Sequence, residues 1–76
     1  MQKIYISPPF IKLEQLLKLS AVVSTGGEAK IIIQNGQVEV NGEVSLERGK
    51  KLFGGEKVAV GGQVYEVILR NDNQRY

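Results

Sequence analysis

Residues 24–42 read STGGEAKIIIQNGQVEVNG and contain the signals for a helix and for the turn that ends it. Thr25 and Glu28 have the spacing of a capping box, in which both side chains bind backbone N–H groups at the start of a helix. Asn35-Gly36 is a favoured left-handed helix stop. The isoleucines between these signals are therefore predicted to be helical rather than extended, and the buried face should contain Ala29, Ile32 and Ile33.

The spacing of the apolar residues changes to two after this helix. Val38 and Val40 alternate with polar neighbours, which predicts a β-strand. Asn41-Gly42 is the strongest short hairpin signal, because both turn positions need positive φ. Val44 and Leu46 are therefore expected on a returning strand.

Similar patterns extend in both directions along the chain. Lys3 to Ile6 is predicted to be a short edge strand. Lys12 to Leu19 is predicted to be a helix that buries three leucines at the i, i+3, i+4 spacing. Residues 58–60 and 64–69 are predicted to form a second hairpin, and the polar tail Asn71 to Tyr76 is expected to be frayed.

These elements indicate a single α+β domain over residues 1–76. Two short helices are expected to pack on a small, mostly antiparallel β-sheet. A chain of 76 residues can bury only a limited core. No segment is therefore long enough to enclose a cofactor.

The composition argues against catalysis, metal binding and membrane insertion. The chain has no histidine and no cysteine, which removes the common zinc ligands and the usual proton shuttle at neutral pH. Its eight acidic residues show no spacing that favours a catalytic pair. No apolar run approaches the roughly 20 residues of a membrane span, and the first residues do not resemble a signal peptide. We expect no catalytic residue, metal, cofactor or membrane partner, and a cytoplasmic location, which the absence of cysteine also fits.

Positive charge is concentrated in one short segment. The net charge of +2 is mild and permits an anionic partner without requiring one. From Arg48 to Lys51, however, three of four residues are basic. A solvated loop is the simpler interpretation. Phosphate contact is the functional one, because phosphate neutralisation supplies most non-specific affinity for nucleic acids.

The paired glycines at the start of the second predicted helix also have two interpretations. A helix N-terminus presents unpaired N–H groups and a partial positive charge. Gly26-Gly27 would let a phosphate approach closely, with Lys30 one turn further on. Alternatively, the glycines only permit a tight turn into the helix. The spacing is not that of a Walker loop.

The aromatic residues are scattered along the chain. Tyr5, Phe10, Phe53 and Tyr65 form no paired stacking motif of the kind that single-strand binders use. We therefore expect these four side chains to pack in the core or at its rim.

Several motifs resemble, in order and spacing, the small RNA-binding domain of ribosomal small-subunit protein S-four. They are Lys12-Leu13-Glu14, Ser24, Glu28-Ala29-Lys30 and Gly36-x-Val38-x-Val40-Asn41-Gly42, with Gly55-Glu56 where the family usually has Gly-Asp. The elements LLKL, STGGEAK, VNGE and RGKKL resemble its short stand-alone bacterial members, the YaaA/YbcJ-like proteins. The resemblance implies an αL-type RNA-binding motif with its core at about residues 12–60.

The resemblance also implies a function and a site. It implies non-catalytic binding of structured RNA, ribosomal RNA above all, in ribosomes or their assembly intermediates, through a basic face of two helices and a loop. Carried over by position, the helical part of that face contains Lys12, Thr25, Gly26, Gly27, Lys30 and Gln34. Helical geometry adds Lys18, and the loop of the stand-alone members corresponds to Arg48, Lys50 and Lys51. Larger members commonly have an arginine where Gly26 stands, whose guanidinium can bind a phosphate through two N–H groups. In this chain only backbone N–H groups can bind a phosphate at that position.

Two other classes of function fit parts of the sequence. A protein-interaction adaptor is the main alternative, because the net charge is only +2. A ubiquitin-like sulfur carrier fits the small size and the Asn41-Gly42 hairpin. Such carriers need a C-terminal Gly-Gly, whereas this chain ends in Arg75-Tyr76 and its Gly61-Gly62 is internal.

Overall fold

The computed structural model describes residues 1–70, which contain two helices and seven β-strands. The elements are β1 (Gln2–Ile6), β2 (Ile11–Lys12), α1 (Leu13–Leu19), α2 (Gly26–Gln34), β3 (Val38–Val40), β4 (Glu43–Val44), β5 (Lys51–Leu52), β6 (Lys57–Val60) and β7 (Gln63–Leu69). The prediction made for the tail Asn71 to Tyr76 falls outside the described residues.

Five strands form one sheet in the order β1-β7-β6-β3-β4. As predicted, β1 is an edge strand. It pairs in parallel with β7, whereas the other neighbours are antiparallel. β2 and β5 form a separate two-stranded sheet. The predicted α+β class, with two helices and a mostly antiparallel sheet, is confirmed.

The capping box of α2 forms as the sequence predicts. The Glu28 N–H donates to Thr25 Oγ1 at 3.1 Å. The Glu28 carboxylate in turn accepts from the N–H groups of Thr25 at 3.3 Å and Ser24 at 2.6 Å. At the other end Gly36 has a φ of +76°, and its N–H donates to the carbonyl of Ile33 at 3.1 Å. Both ends of the helix are therefore fixed by the residues that predicted them.

One apolar core joins both helices to the sheet. The leucine stripe of α1 is fully buried and consists of Leu13, Leu16 and Leu17. In α2, Ala29 and Ile33 are fully buried and Ile32 is half-buried, whereas Ile31 is exposed. The strands contribute alternate residues, chiefly Val38, Val40, Val58, Val60, Tyr65 and Val67. Because alternate residues share one face of a sheet, the helices cover one face only.

The first hairpin turns as predicted, but its second strand is short. Asn41 and Gly42 have φ values of +53° and +85°. β4 ends at Val44, and Leu46 is 59% exposed, so the prediction that Leu46 continues the strand is wrong. The chain leaves the sheet after Ser45, because the following residues pair with the start of α1.

Candidate functional site

The basic segment at residues 48–51 lies against the start of α1. The N–H of Leu13 donates to the carbonyl of Lys50 at 2.8 Å, and the N–H of Glu14 donates to the carbonyl of Arg48 at 3.0 Å. The first N–H groups of a helix have no partner inside it, so the segment caps α1. The pairing of β2 with β5 sets Lys12 opposite Lys51. The structure thus brings together Lys12, Arg48, Lys50 and Lys51.

Glu56 fixes the turn that follows this basic segment. Its carboxylate accepts from the N–H groups of Phe53 and Gly54, both at 2.8 Å. Partial burial opposes ionisation of Glu56, but these hydrogen bonds and the Lys50 cation outweigh it, so the pKa of this carboxyl lies below its usual 4.5. The carboxylate is therefore charged at neutral pH and holds the turn.

A second group of predicted residues lies on α2. At 3.6 residues per turn, Gly26, Gly27, Lys30 and Gln34 fall within about 100° of the helix surface. All four are exposed or half-buried. Thr25 precedes them, and its hydroxyl is already engaged with the Glu28 N–H. α1 packs on α2, so this group and the basic segment lie on neighbouring elements.

The glycines of the chain divide into two sets by backbone conformation. Six of the nine have positive φ, which favours glycine: Gly36, Gly42, Gly54, Gly55, Gly61 and Gly62. The other three are Gly26, Gly27 and Gly49, and all lie in the predicted face or in the basic segment. A Cβ at Gly26 or Gly49 would meet nothing within 4 Å, and one at Gly27 would meet only Thr25 Oγ1 at 3.8 Å. Neither conformation nor internal packing requires glycine at these three positions.

The Glu28 carboxylate places a negative charge at the start of α2, where a phosphate is predicted to bind. The Glu28 carboxylate accepts from the N–H groups of Ser24 and Thr25. Two of the orphan N–H groups remain for an external anion, those of Gly26 and Gly27. An anion bound there would lie close to a carboxylate, which weakens this helix end as an anion site.

Lys18 lies in the last turn of α1. It lines an open groove of about 660 Å³ between α1 and the end of β1 with its following loop. The groove walls include Tyr5, Ile6, Phe10, Gln15, Lys18 and Leu19. The predicted residues thus occupy three places: the start of α1 with the basic segment, the side of α2, and this groove.

Sequence reasoning missed an aromatic cluster beside the basic segment. The rings of Phe10 and Phe53 meet edge to face, with centroids 5.8 Å apart, and Lys51 Nζ lies 5.0 Å from the Phe10 centroid. Tyr65 is in the core as expected, but Tyr5 and Phe53 are more than half exposed. The signal was present, because Phe10 and Phe53 flank the residues that pair in β2 and β5. Two-residue strands, however, have no period from which to predict their pairing.

Within residues 1–70 no three His, Cys, Asp or Glu side chains come together in a way that could hold a metal ion. In the same range neither helix is long and apolar enough to cross a membrane.

Comparison with known proteins gives relatives of similar length. YbcJ of Escherichia coli (strain K12) is 37% identical over 60 residues, which are 79% of this chain and 86% of that protein. A protein of Bacillus subtilis (strain 168) named "Probable ribosome maturation protein RlbA" is 41% identical over 59 residues, covering 78% of this chain and 83% of that one.

Solved structures share the fold. The solution structure of YbcJ from E. coli, described as containing an αL motif involved in RNA-binding, matches with a TM-score of 0.69 and 33% identity over 90% of this chain and 87% of that one. The 30S ribosomal protein S4e of Thermoplasma acidophilum matches with a TM-score of 0.59 and 30% identity, over 80% of this chain and 30% of that protein. Residues 4–68 match the family described as the S4 domain. The resemblance read from the motifs is therefore confirmed, and the chain belongs to the S4 domain family.

Proposed function

We propose that this chain binds structured RNA without catalysing a reaction on it. The binding face consists of the basic segment with the start of α1, the exposed side of α2, and Lys18. One observation carries the proposal: the three glycines that the fold does not require all lie in or beside this face. Bare backbone outside the core is useful where another molecule must approach closely.

The basic segment supplies the strongest part of this face. Its backbone carbonyls are held by α1, so its three cations, with Lys12 of β2 opposite Lys51, are carried by a fixed backbone rather than by a loose loop. Pre-ordered cations lose less conformational entropy when they contact phosphates. Most contacts are expected to go to phosphate and sugar, which recognises the shape of a folded RNA more than its sequence.

The side of α2 supplies a weaker part. The N–H groups of Gly26 and Gly27 are directed at a phosphate, and Lys30 and Gln34 extend the contact along the helix. The nearby Glu28 carboxylate and the absent arginine both reduce the affinity of this helix end. We therefore assign α2 to the positioning of the RNA and the basic segment to most of the affinity.

Ribosomal RNA is the proposed partner, free or in ribosome-assembly intermediates of the bacterial cytoplasm. Three likenesses support this choice: a protein named for ribosome maturation, a protein of the 30S subunit, and a structure described as involved in RNA-binding. Relatives matched over most of their own length are named "Putative RNA-binding protein YbcJ" and "Probable ribosome maturation protein RlbA", which supports a binding module.

A salt titration with charge-reversed variants tests the proposal. Lys50→Glu with Lys51→Glu should weaken binding of a ribosomal RNA hairpin and reduce the slope of log affinity against log salt by about two, one for each lysine on a phosphate. Lys3→Glu with Lys57→Glu is the matched control. It makes the same charge change at two exposed lysines that both pair with Glu66 in the sheet.

Circular dichroism should show both double variants folded. If the two double variants lose the same affinity, the loss is caused by the change in net charge alone. That result would contradict the assigned face. Absence of salt-dependent binding by the unaltered protein would reject RNA binding. A pull-down that survives nuclease treatment would then favour the protein adaptor.

A further inference from the structure

Of the residues assigned to the binding face, only Lys18 lines the groove beside α1. One wall is formed by the end of β1 and the loop after it, with Tyr5 and Phe10, and the other by the exposed side of α1, with Gln15, Lys18 and Leu19. Its volume of about 660 Å³ falls within the range of small-molecule sites.

Part of the apolar surface of this groove is open to solvent, whereas its Phe10 ring is half-buried. Tyr5 is 56% exposed and Leu19 is 58% exposed, although the core has enough apolar side chains to fill the interior without them. The Phe10 ring packs against the Phe53 ring at an interplanar angle of 60°, and Lys51 Nζ lies over it. A ring whose orientation is already fixed is a good platform for stacking, because little entropy is lost when a planar partner binds.

The charge around the groove matches a nucleic acid. Lys18 belongs to its wall, Lys51 lies over Phe10, and no carboxylate contributes to the wall among residues 1–70. Gln15 adds a directed polar group. Its Oε1 accepts from the Lys12 N–H at 3.0 Å, which leaves its Nε2 as the donor end. The ring nitrogens and carbonyl oxygens of bases are acceptors for such a donor.

We infer that this groove takes one unpaired base of the bound RNA. The base stacks on Phe10 and Tyr5 and accepts a hydrogen bond from Gln15 Nε2, while its flanking phosphates lie near Lys18 and Lys51. The inference rests on the proposed function and adds to it a preference for RNA with a bulged or looped-out nucleotide, since a fully paired helix offers no free base face.

Two RNA hairpins with identical stems and loops test this inference. One carries a single bulged 2-aminopurine in the stem, and the other is fully paired. Base–aromatic stacking changes affinity by about 5- to 150-fold. We expect the protein to bind the bulged hairpin at least about fivefold more tightly, with quenching of the 2-aminopurine fluorescence as the base stacks.

Phe10→Leu should remove this preference and the quenching, so that the variant binds the bulged hairpin and the paired hairpin with equal affinity. Leu46→Ser is the control, because Leu46 is an exposed apolar residue that does not line the groove. If Phe10→Leu does not fold, Tyr5→Ser, at a more exposed position, replaces it.

The outcomes separate the two proposals. Equal affinity for both hairpins, weakened equally by the Lys50 and Lys51 reversals, would overturn the groove inference and leave the RNA-binding face intact. The groove would then belong to another occupant, such as a peptide strand added to the free edge of β1. Failure to bind either hairpin would reject RNA binding itself, and the groove inference with it.

Discussion

Replacing Gly26 and Gly27 with alanine tests whether glycine at these positions is required for stability or for binding of the ligand. Neither residue has positive φ, and a Cβ at either position meets no atom closer than 3.8 Å. Alanine therefore fits both positions without strain. A Gly→Ala change at a compatible position stabilises a protein by about 0.4–1 kcal/mol, because it reduces the freedom of the unfolded chain.

The expected gain follows from the place of the two glycines in α2. They occupy its first two positions, where helix propensity counts less than in the interior, so we assign about 0.5 kcal/mol to each. The double variant should then gain about 1 kcal/mol. In a domain of this size that raises the melting temperature by about 4–8 °C.

Binding should change in the opposite direction. A methyl group at either position projects into the space outside the helix end, where the phosphate is proposed to lie. Loss of one charge-assisted hydrogen bond to a phosphate corresponds to about a tenfold weaker affinity, or 1.4 kcal/mol. The double variant should thus be more stable and bind a ribosomal RNA hairpin about tenfold less tightly.

Thermal melts by circular dichroism and hairpin titrations at fixed salt measure the two effects. Gly36→Ala is the matched control. It places alanine at a φ of +76° and should lower stability by about 1–2 kcal/mol without a direct effect on binding. Unchanged affinity in the double variant would refute the phosphate interpretation. Lower stability would refute the claim that the fold does not need these glycines.

Three further variants test separate parts of the structure. Glu56→Gln should lower the free energy of unfolding by about 1 kcal/mol at neutral pH, after allowance for solvent screening. Because the folded-state pKa lies below 4.5, this stabilisation is present above that pH and is lost as pH falls through the folded-state pKa, so urea midpoints of variant and wild type should converge in acid. Thr25→Ala removes the cap of α2 and should cost about 1 kcal/mol in urea denaturation, and an unchanged midpoint would argue against the cap. Leu16→Ala creates a cavity at a fully buried position and should lower the free energy of unfolding by about 2–5 kcal/mol. A loss below about 1 kcal/mol would mean that the core collapses into the cavity.

Most of the fold can be predicted from local signals, because each signal acts through contacts between residues that are close in the sequence. A capping box, a left-handed stop and an Asn-Gly turn each act within about four residues, so Thr25 with Glu28 and Asn41-Gly42 are correctly placed from sequence alone. The leucine stripe of α1 is equally clear, since helical period and burial agree.

The features that escaped prediction depend on long-range contacts. The pairing of β2 with β5 joins residues about forty positions apart and gives no periodic pattern. It brings Phe10 to Phe53, so the aromatic cluster could not be derived before the fold was known. It also brings Lys12 to Lys51, which the resemblance assigned to one face but which no local pattern places together. Leu46 was misplaced for the same reason, because the chain leaves the sheet to reach α1.

The capping of α1 by the basic segment has a consequence for how such a protein changes over evolution. The carbonyls of Arg48 and Lys50 accept hydrogen bonds from α1 and so serve the fold, whereas their side chains supply the positive charge of the segment. An inserted or deleted residue would shift the carbonyls and leave the start of α1 uncapped, so the length of the segment is constrained. The identity of its side chains is not constrained in this way, so point substitutions can change the charge of the segment while its backbone path stays the same.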